Sequence, residues 1–137
     1  MGRILAIDYG QKRVGLAVTD PMQMIANALD TIPVHEIFRY LENYLNREVV
    51  DKFVIGLPKQ MNGEDSDSKK YIDEFVTGLK RKFPEKEIVF FDERFTSVMA
   101  QRTILASGIG KKARQNKALV DKIAAVIILQ GYMETLY

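Results

Sequence analysis

The chain has 137 residues, 47% hydrophobic and 28% charged, with a formal net charge of +2, which reads as one soluble domain over 1–137 able to bury its own core. With no cysteine and a single histidine, His35, the composition excludes a disulfide framework, a Cys/His zinc site and any nuclease or transferase chemistry that needs two histidines. The longest apolar run, Ile123 to Leu129, is seven residues, far below a membrane span. Only four apolar residues separate Arg3 from Asp8, so no signal peptide is expected and the expected location is cytoplasmic.

Residues 3–9, RILAIDY, read as a buried strand, an apolar run closed by an acid and Gly10. After GQKR, VGLAVTD reads as a second strand forming a hairpin with the first, for which Gly10 supplies the turn conformation. Asp20-Pro21 breaks the chain, and a weaker third strand is expected within 28–34. Ile37, Leu41, Tyr44 and Leu45 share one face of a helix over 36–48. KFVIGLP is a short central strand ended by Gly56 and Pro58, and 59–67 is a polar loop with Asp67 or Ser68 available as an N-cap. Ile72, Phe75, Val76, Leu79 and Phe83 mark an amphipathic helix that Pro84 ends. EIVFFDER supplies the fifth strand, and helices near 96–107 and 115–135 flank the basic loop SGIGKKARQNK.

Three antiparallel strands thus lead into two crossover units, which by handedness extend the same sheet in parallel. The order β-β-β-α-β-α-β-α-α is that of the ribonuclease H-like fold: α/β, with a mixed five-stranded sheet and helices on both faces.

Three acids stand out against this frame. Asp8 closes the row Ile4, Ala6, Asp8 on one face of the first strand, and a carboxylate ending an apolar row needs a cation, a capping donor or a metal. Glu93 ends the row Val89, Phe91, Glu93 in the same way. Asp121 lies in the most hydrophobic helix, on a stripe with Ala124, Ala125 and Ile128 whose small residues allow close approach to the sheet. Each has an ordinary alternative: Asp8 can cap its own turn, Glu93 can pair with Arg94, and Asp121 can pair with Lys117. In this topology, however, the three should converge at the carboxyl ends of the strands. Three carboxylates without histidine suit a hard cation such as Mg²⁺ or Mn²⁺. Two such ions would serve phosphodiester hydrolysis.

Charge is unevenly distributed. From Arg94 to Lys122 there are seven Lys or Arg against Asp121 alone, a net +6, and the rest of the chain carries −4. A basic segment around isolated acids fits a polyanion, although a solvated helix face would look the same.

Four blocks carry a more specific signal: AIDYGQKRVGLAVTD (6–20), VIGLPKQMNG (54–63), DERFTS (92–97) and KALVDKIAAVIILQGYM (117–133). In order and spacing they resemble the YqgF/RuvX family, which is related to the RuvC resolvases. That family is described both as Holliday-junction resolvases and as nucleases maturing the 5′ end of the 16S ribosomal RNA precursor. The resemblance implies Asp8, Glu93 and Asp121 as metal-binding catalytic acids. It also implies phosphate contacts by Lys12, Arg13, Arg94 and the loop residues Lys111, Lys112, Arg114 and Lys117. Lys59, Gln60 and Asn62 depart from the family's usual GLPLNMDG run, outside the proposed acids.

Two other readings compete. Asp-x-Gly followed by a Lys and a later Gly resembles the first phosphate loop of actin- and sugar-kinase-type ATPases, which clasp ATP between two such domains where this sequence offers one. A catalytically silent nucleic-acid-binding module is the other. Resolving a junction takes two symmetric cuts and a C₂ dimer, whereas trimming RNA takes one. A monomer or weak homodimer processing ribosomal RNA is therefore the favoured expectation over a resolvase acting on branched DNA.

Overall fold

The computed structural model describes residues 2–57, 69–92 and 117–136, with the backbone alone for 69 and 117–122. Its strands are β1 (Arg3–Tyr9), β2 (Arg13–Thr19), β3 (Ala26–Pro33), β4 (Val50–Leu57) and β5 (Glu87–Asp92); its helices are α1 (Ile37–Arg47), α2 (Lys69–Lys82) and α3 (Lys117–Glu134). The five strands form one sheet in the order β3-β2-β1-β4-β5. β1–β2 and β2–β3 are antiparallel, while β1–β4 and β4–β5 are parallel. The architecture is the mixed, helix-covered sheet expected of a ribonuclease H-like fold. The expected helix at 96–107 and the cap at Asp67 or Ser68 lie outside the described residues.

β1 sits at the centre because its sequence tolerates no water on either side. Ile4, Leu5, Ala6 and Ile7 are all fully buried, the near-continuous apolar run of a strand covered on both faces. Alternation then divides the protein into two cores. Leu5 and Ile7 join Phe53 and Ile55 beneath Ile37, Leu41 and Tyr44 of α1 and Ile72, Phe75, Val76 and Leu79 of α2. Ile4 and Ala6 join Ala17 and Val54 beneath Ala125, Ile128, Leu129 and Met133 of α3. The small side chains Ala6, Ala17 and Ala125 meet in this second core, so helix and sheet pack closely; Ala124, expected on the same stripe, is half-buried. α3 is apolar around much of its circumference, with Ile127 buried as well, as befits a helix covered on more than one side.

Several boundaries shift for local reasons. β3 begins two residues earlier than expected, because its edge position needs only main-chain pairing to β2, from Ala26 opposite Thr19 to Pro33 opposite Arg13. A short 3-10 turn, Val34–Glu36, precedes α1. Gly10 lies in the hairpin turn, as expected, without a left-handed backbone. Its backbone N–H donates to the Arg13 carbonyl at 3.0 Å, and a Cβ there would lie 2.7 Å from that oxygen. Glycine is needed for space, not for φ.

At the opposite end of β1, Thr19 is fully buried, and its Oγ1 accepts the Ile4 backbone N–H at 2.9 Å. The Asp20 carboxylate then organises the next loop by accepting the amides of Met24 and Ile25, each at 2.8 Å, and of Met22 at 3.1 Å. Bonds from Ile25 and Met24 chiefly hold the Asp20 pKa below the ordinary value.

Two outcomes follow for stability. Thr19→Val keeps the shape but strands the Ile4 N–H in a dry site, and should cost about 2 kcal/mol in denaturant melts; Thr19→Ser should cost much less. A carboxylate whose folded pKa is depressed gives stability that is complete above its unfolded value and lost as pH falls through the folded value. The stability gap between wild type and Asp20→Ala should therefore be constant above about pH 5 and narrow below about pH 4.

Candidate functional site

Asp8 is the sixth residue of β1, half-buried, with its Cα opposite Gly15 of β2. Alternation places it in the row of Ile4 and Ala6, the two β1 residues that pack under α3. The chain reverses immediately beyond it. The Gly10–Arg13 bond closes the turn, and the Lys12 carbonyl accepts the Val34 N–H at 2.9 Å, tying the turn to the end of β3. Lys12 is exposed and Arg13, the first residue of β2, is half-buried. The carboxylate and both cations of this hairpin thus share the carboxyl end of β1.

Tyr9 faces the other core. Its ring stacks on Phe75 with centroids 4.2 Å apart and planes at 11°, and Tyr71 approaches at 5.9 Å. Burial raises the Tyr9 hydroxyl pKa, with the Tyr71 and Glu74 charges adding to the shift. This clamp fixes the end of β1, one residue beyond Asp8, against α2. The sequence contains its signal, an aromatic at a strand end and an i, i+4 aromatic pair at 71 and 75, but periodicity alone assigns all three to core.

The far end of α3 is placed by its neighbours. The Lys52 Nζ, at the start of β4, donates to the Tyr132 hydroxyl at 3.1 Å, and Lys52 aligns with Ile4 of β1. Met133 lies beside Met24 and Ala26, next to the beginning of β3. The last turns of α3 therefore reach the amino end of β4 through the Tyr132 hydroxyl and the start of β3 through Met133.

Among the expected site residues, Asp8, Lys12 and Arg13 are placed in one hairpin, Asp8 near the end of β1, Lys12 in the turn and Arg13 at the start of β2. Asp121 and Lys117 lie in the first turns of α3, described by backbone alone. Glu93, Arg94, Lys111, Lys112 and Arg114 lie outside the described residues. Asp92 closes β5 opposite Leu57, on the alternate side from Val89 and Phe91. Among the described residues no three acids or histidines are grouped as a metal site, and no helix is long and apolar enough to cross a membrane.

Comparison with known proteins agrees with this architecture. Residues 2–135 match the family model described as "RuvX: Holliday junction resolvase". A relative from Bacteroides fragilis is 56% identical over 135 residues, covering 98% of both chains. Another from Porphyromonas gingivalis is 57% identical over 134 residues, covering 98% of this chain and 97% of its own. Both carry the name "Putative pre-16S rRNA nuclease". Among solved structures, T. thermophilus RuvC in complex with Holliday junction substrate superposes with a TM-score of 0.59 over 98% of each chain at 15% identity, a likeness of fold. Matched from end to end by the family model and sharing more than half its residues with these relatives, the chain belongs to the RuvX family and is a nuclease with a ribonuclease H-like fold.

Proposed function

We propose that this nuclease trims the 5′ end of the 16S ribosomal RNA precursor in the cytoplasm, using divalent metal held by Asp8, Glu93 and Asp121, within a single domain spanning 1–137. The observation that carries the reading is the position of Asp8. It is the lone acid of a central strand whose preceding residues are dry, on the face that α3 covers, beside the cations of its own turn. The donor set is all carboxylate oxygen and suits Mg²⁺ or Mn²⁺. A bound pair of such ions supplies charge stabilisation at the phosphate and acidifies the attacking water.

The protein's own groups do the rest. Asp8 ends a strand packed on both faces, so its carboxylate has little freedom to move away as charge develops. Lys12 and Arg13 sit where a phosphate backbone passing the end of β1 would lie. The family resemblance adds Arg94, Lys111, Lys112, Arg114 and Lys117, in the basic segment of the sequence, as further phosphate contacts. The names of the relatives favour RNA, and one set of acids per chain suffices for a single cut by a monomer or weak homodimer. The family description supports the second reading, a resolvase acting on four-way DNA junctions, which needs two such sites related by symmetry.

Cleavage of a labelled RNA carrying the precursor's 5′ extension should stop in excess EDTA and return with Mg²⁺ or Mn²⁺. Undiminished cleavage in EDTA would overturn the metal assignment. Asp8→Asn should lower the rate by more than about 100-fold, the loss expected when a ligand itself, rather than its supporting shell, is changed. A four-way DNA junction assayed in parallel, and cut symmetrically at a faster rate, would transfer the assignment to the resolvase reading.

Replacing Lys111, Lys112 and Arg114 together with Ala should weaken RNA binding and reduce the slope of log K against log salt by about two to three, since each phosphate contact releases counterions. An unchanged slope in titrations at several salt concentrations would return this loop to the solvated surface.

A further inference from the structure

The end of the molecule opposite Asp8 carries a second feature that phosphodiester cleavage does not use. Between β2 and β3 the chain exposes Met22, Met24 and Ile25, which are 65%, 71% and 63% accessible. Met24, Ile25 and Ala26 form one wall of a groove of about 500 Å³, with Gln130, Met133 and Glu134 of α3 along the other. Val49, 69% accessible, lies against Gly2 at the same end.

This loop is held in place. Asp20 accepts three of its amides, and Gln23 has a left-handed backbone, φ 58°, that is unfavourable for a non-glycine residue. Its side chain offsets that strain by donating to the Gly2 carbonyl at 2.7 Å and to Asp51 Oδ2 at 3.1 Å. Apolar side chains presented on a fixed loop lose little further entropy on docking, and methionines adapt to varied partners. Acids predominate around the groove among the described residues. Glu134 lines it, the carboxylates of Asp20 and Asp51 bond the loop that forms its other wall, and Arg3 and Lys52, at the starts of β1 and β4, are engaged by Glu48 at 3.2 Å and Glu87 at 3.5 Å. Such a rim repels a phosphate backbone and attracts a cation.

We propose that this groove is a docking site for a basic amphipathic segment of another protein, its apolar side chains seated between Met24–Ile25 and Met133 and its Lys or Arg residues on the acidic rim. Occupancy leaves the carboxyl end of β1 open, so partner and nucleic acid bind together.

The test uses the full chain and a fluorescent helical peptide of Leu and Lys, with a counterpart in which Glu replaces every Lys. Fluorescence anisotropy should show binding of the Lys peptide and none of the Glu peptide. Met24→Ser/Ile25→Ser should weaken that binding by about tenfold or more, the loss typical of a central apolar anchor. Glu134→Gln should weaken it less and flatten its salt dependence. Thermal melts and RNA cleavage by these surface variants should match wild type. Equal binding of the two peptides, or no effect of Met24→Ser/Ile25→Ser, would overturn the proposal. Sedimentation showing a wild-type dimer that Met24→Ser/Ile25→Ser dissociates would assign the groove to a second copy and overturn it equally.

Discussion

The exclusion of water from both faces of β1 is the constraint on which the rest of the structure depends. A strand with four consecutive fully buried residues can sit only in the middle of a sheet that is covered on each side. That requirement puts β2 and β4 beside it, α1 and α2 over one face and α3 over the other. It also decides where a charge can be. Within the dry stretch a carboxylate would be prohibitively costly; at the strand's exit, where the chain turns into GQKR, it meets solvent and cations. Asp8, the candidate acid, stands where the packing first allows one.

The two cores built on this strand have different characters. One is aromatic and aliphatic, with Phe75 against Tyr9 and Phe38, and Phe53 against Phe83, and it anchors two crossover helices. The other is narrow, lined by Ala6, Ala17 and Ala125, so α3 lies close to the sheet. Large side chains at these positions would lift the helix and separate anything on its first turns from the strand ends. The small residues are thus a condition on the site as much as on the packing.

Much of this was legible in the sequence. The runs RILAIDY and KFVIGL can only be buried strands, and the helical spacing of Ile72, Phe75, Val76 and Leu79 matches the residues that α2 buries. Asp8 was legible as a candidate because a charge at the end of an apolar row is a local anomaly. What sequence patterns could not supply depends on distant partners. Gly10 is legible as a turn residue, but the reason it must be glycine, the approach of the Arg13 carbonyl, is not. The third strand's start depends on pairing with β2, and Tyr9's placement on rings from α2. Likewise, the outward set of Met22, Met24 and Ile25 follows from hydrogen bonds that Asp20 and Gln23 make to the loop and to Gly2 and Asp51.

The position of α3 has a consequence for a chain made from its amino end. β1, β2 and β3 are local neighbours and can pair as soon as they leave the ribosome, and β4 and α2 follow to close one face. The surface formed by Ile4, Ala6, Ala17 and Val54 stays bare until residues 117–134 are synthesised. During that interval the nascent chain exposes an apolar sheet face that only its last helix covers. Synthesis order therefore leaves the second core open until translation is almost finished, a state in which the chain is most exposed to association with other apolar surfaces.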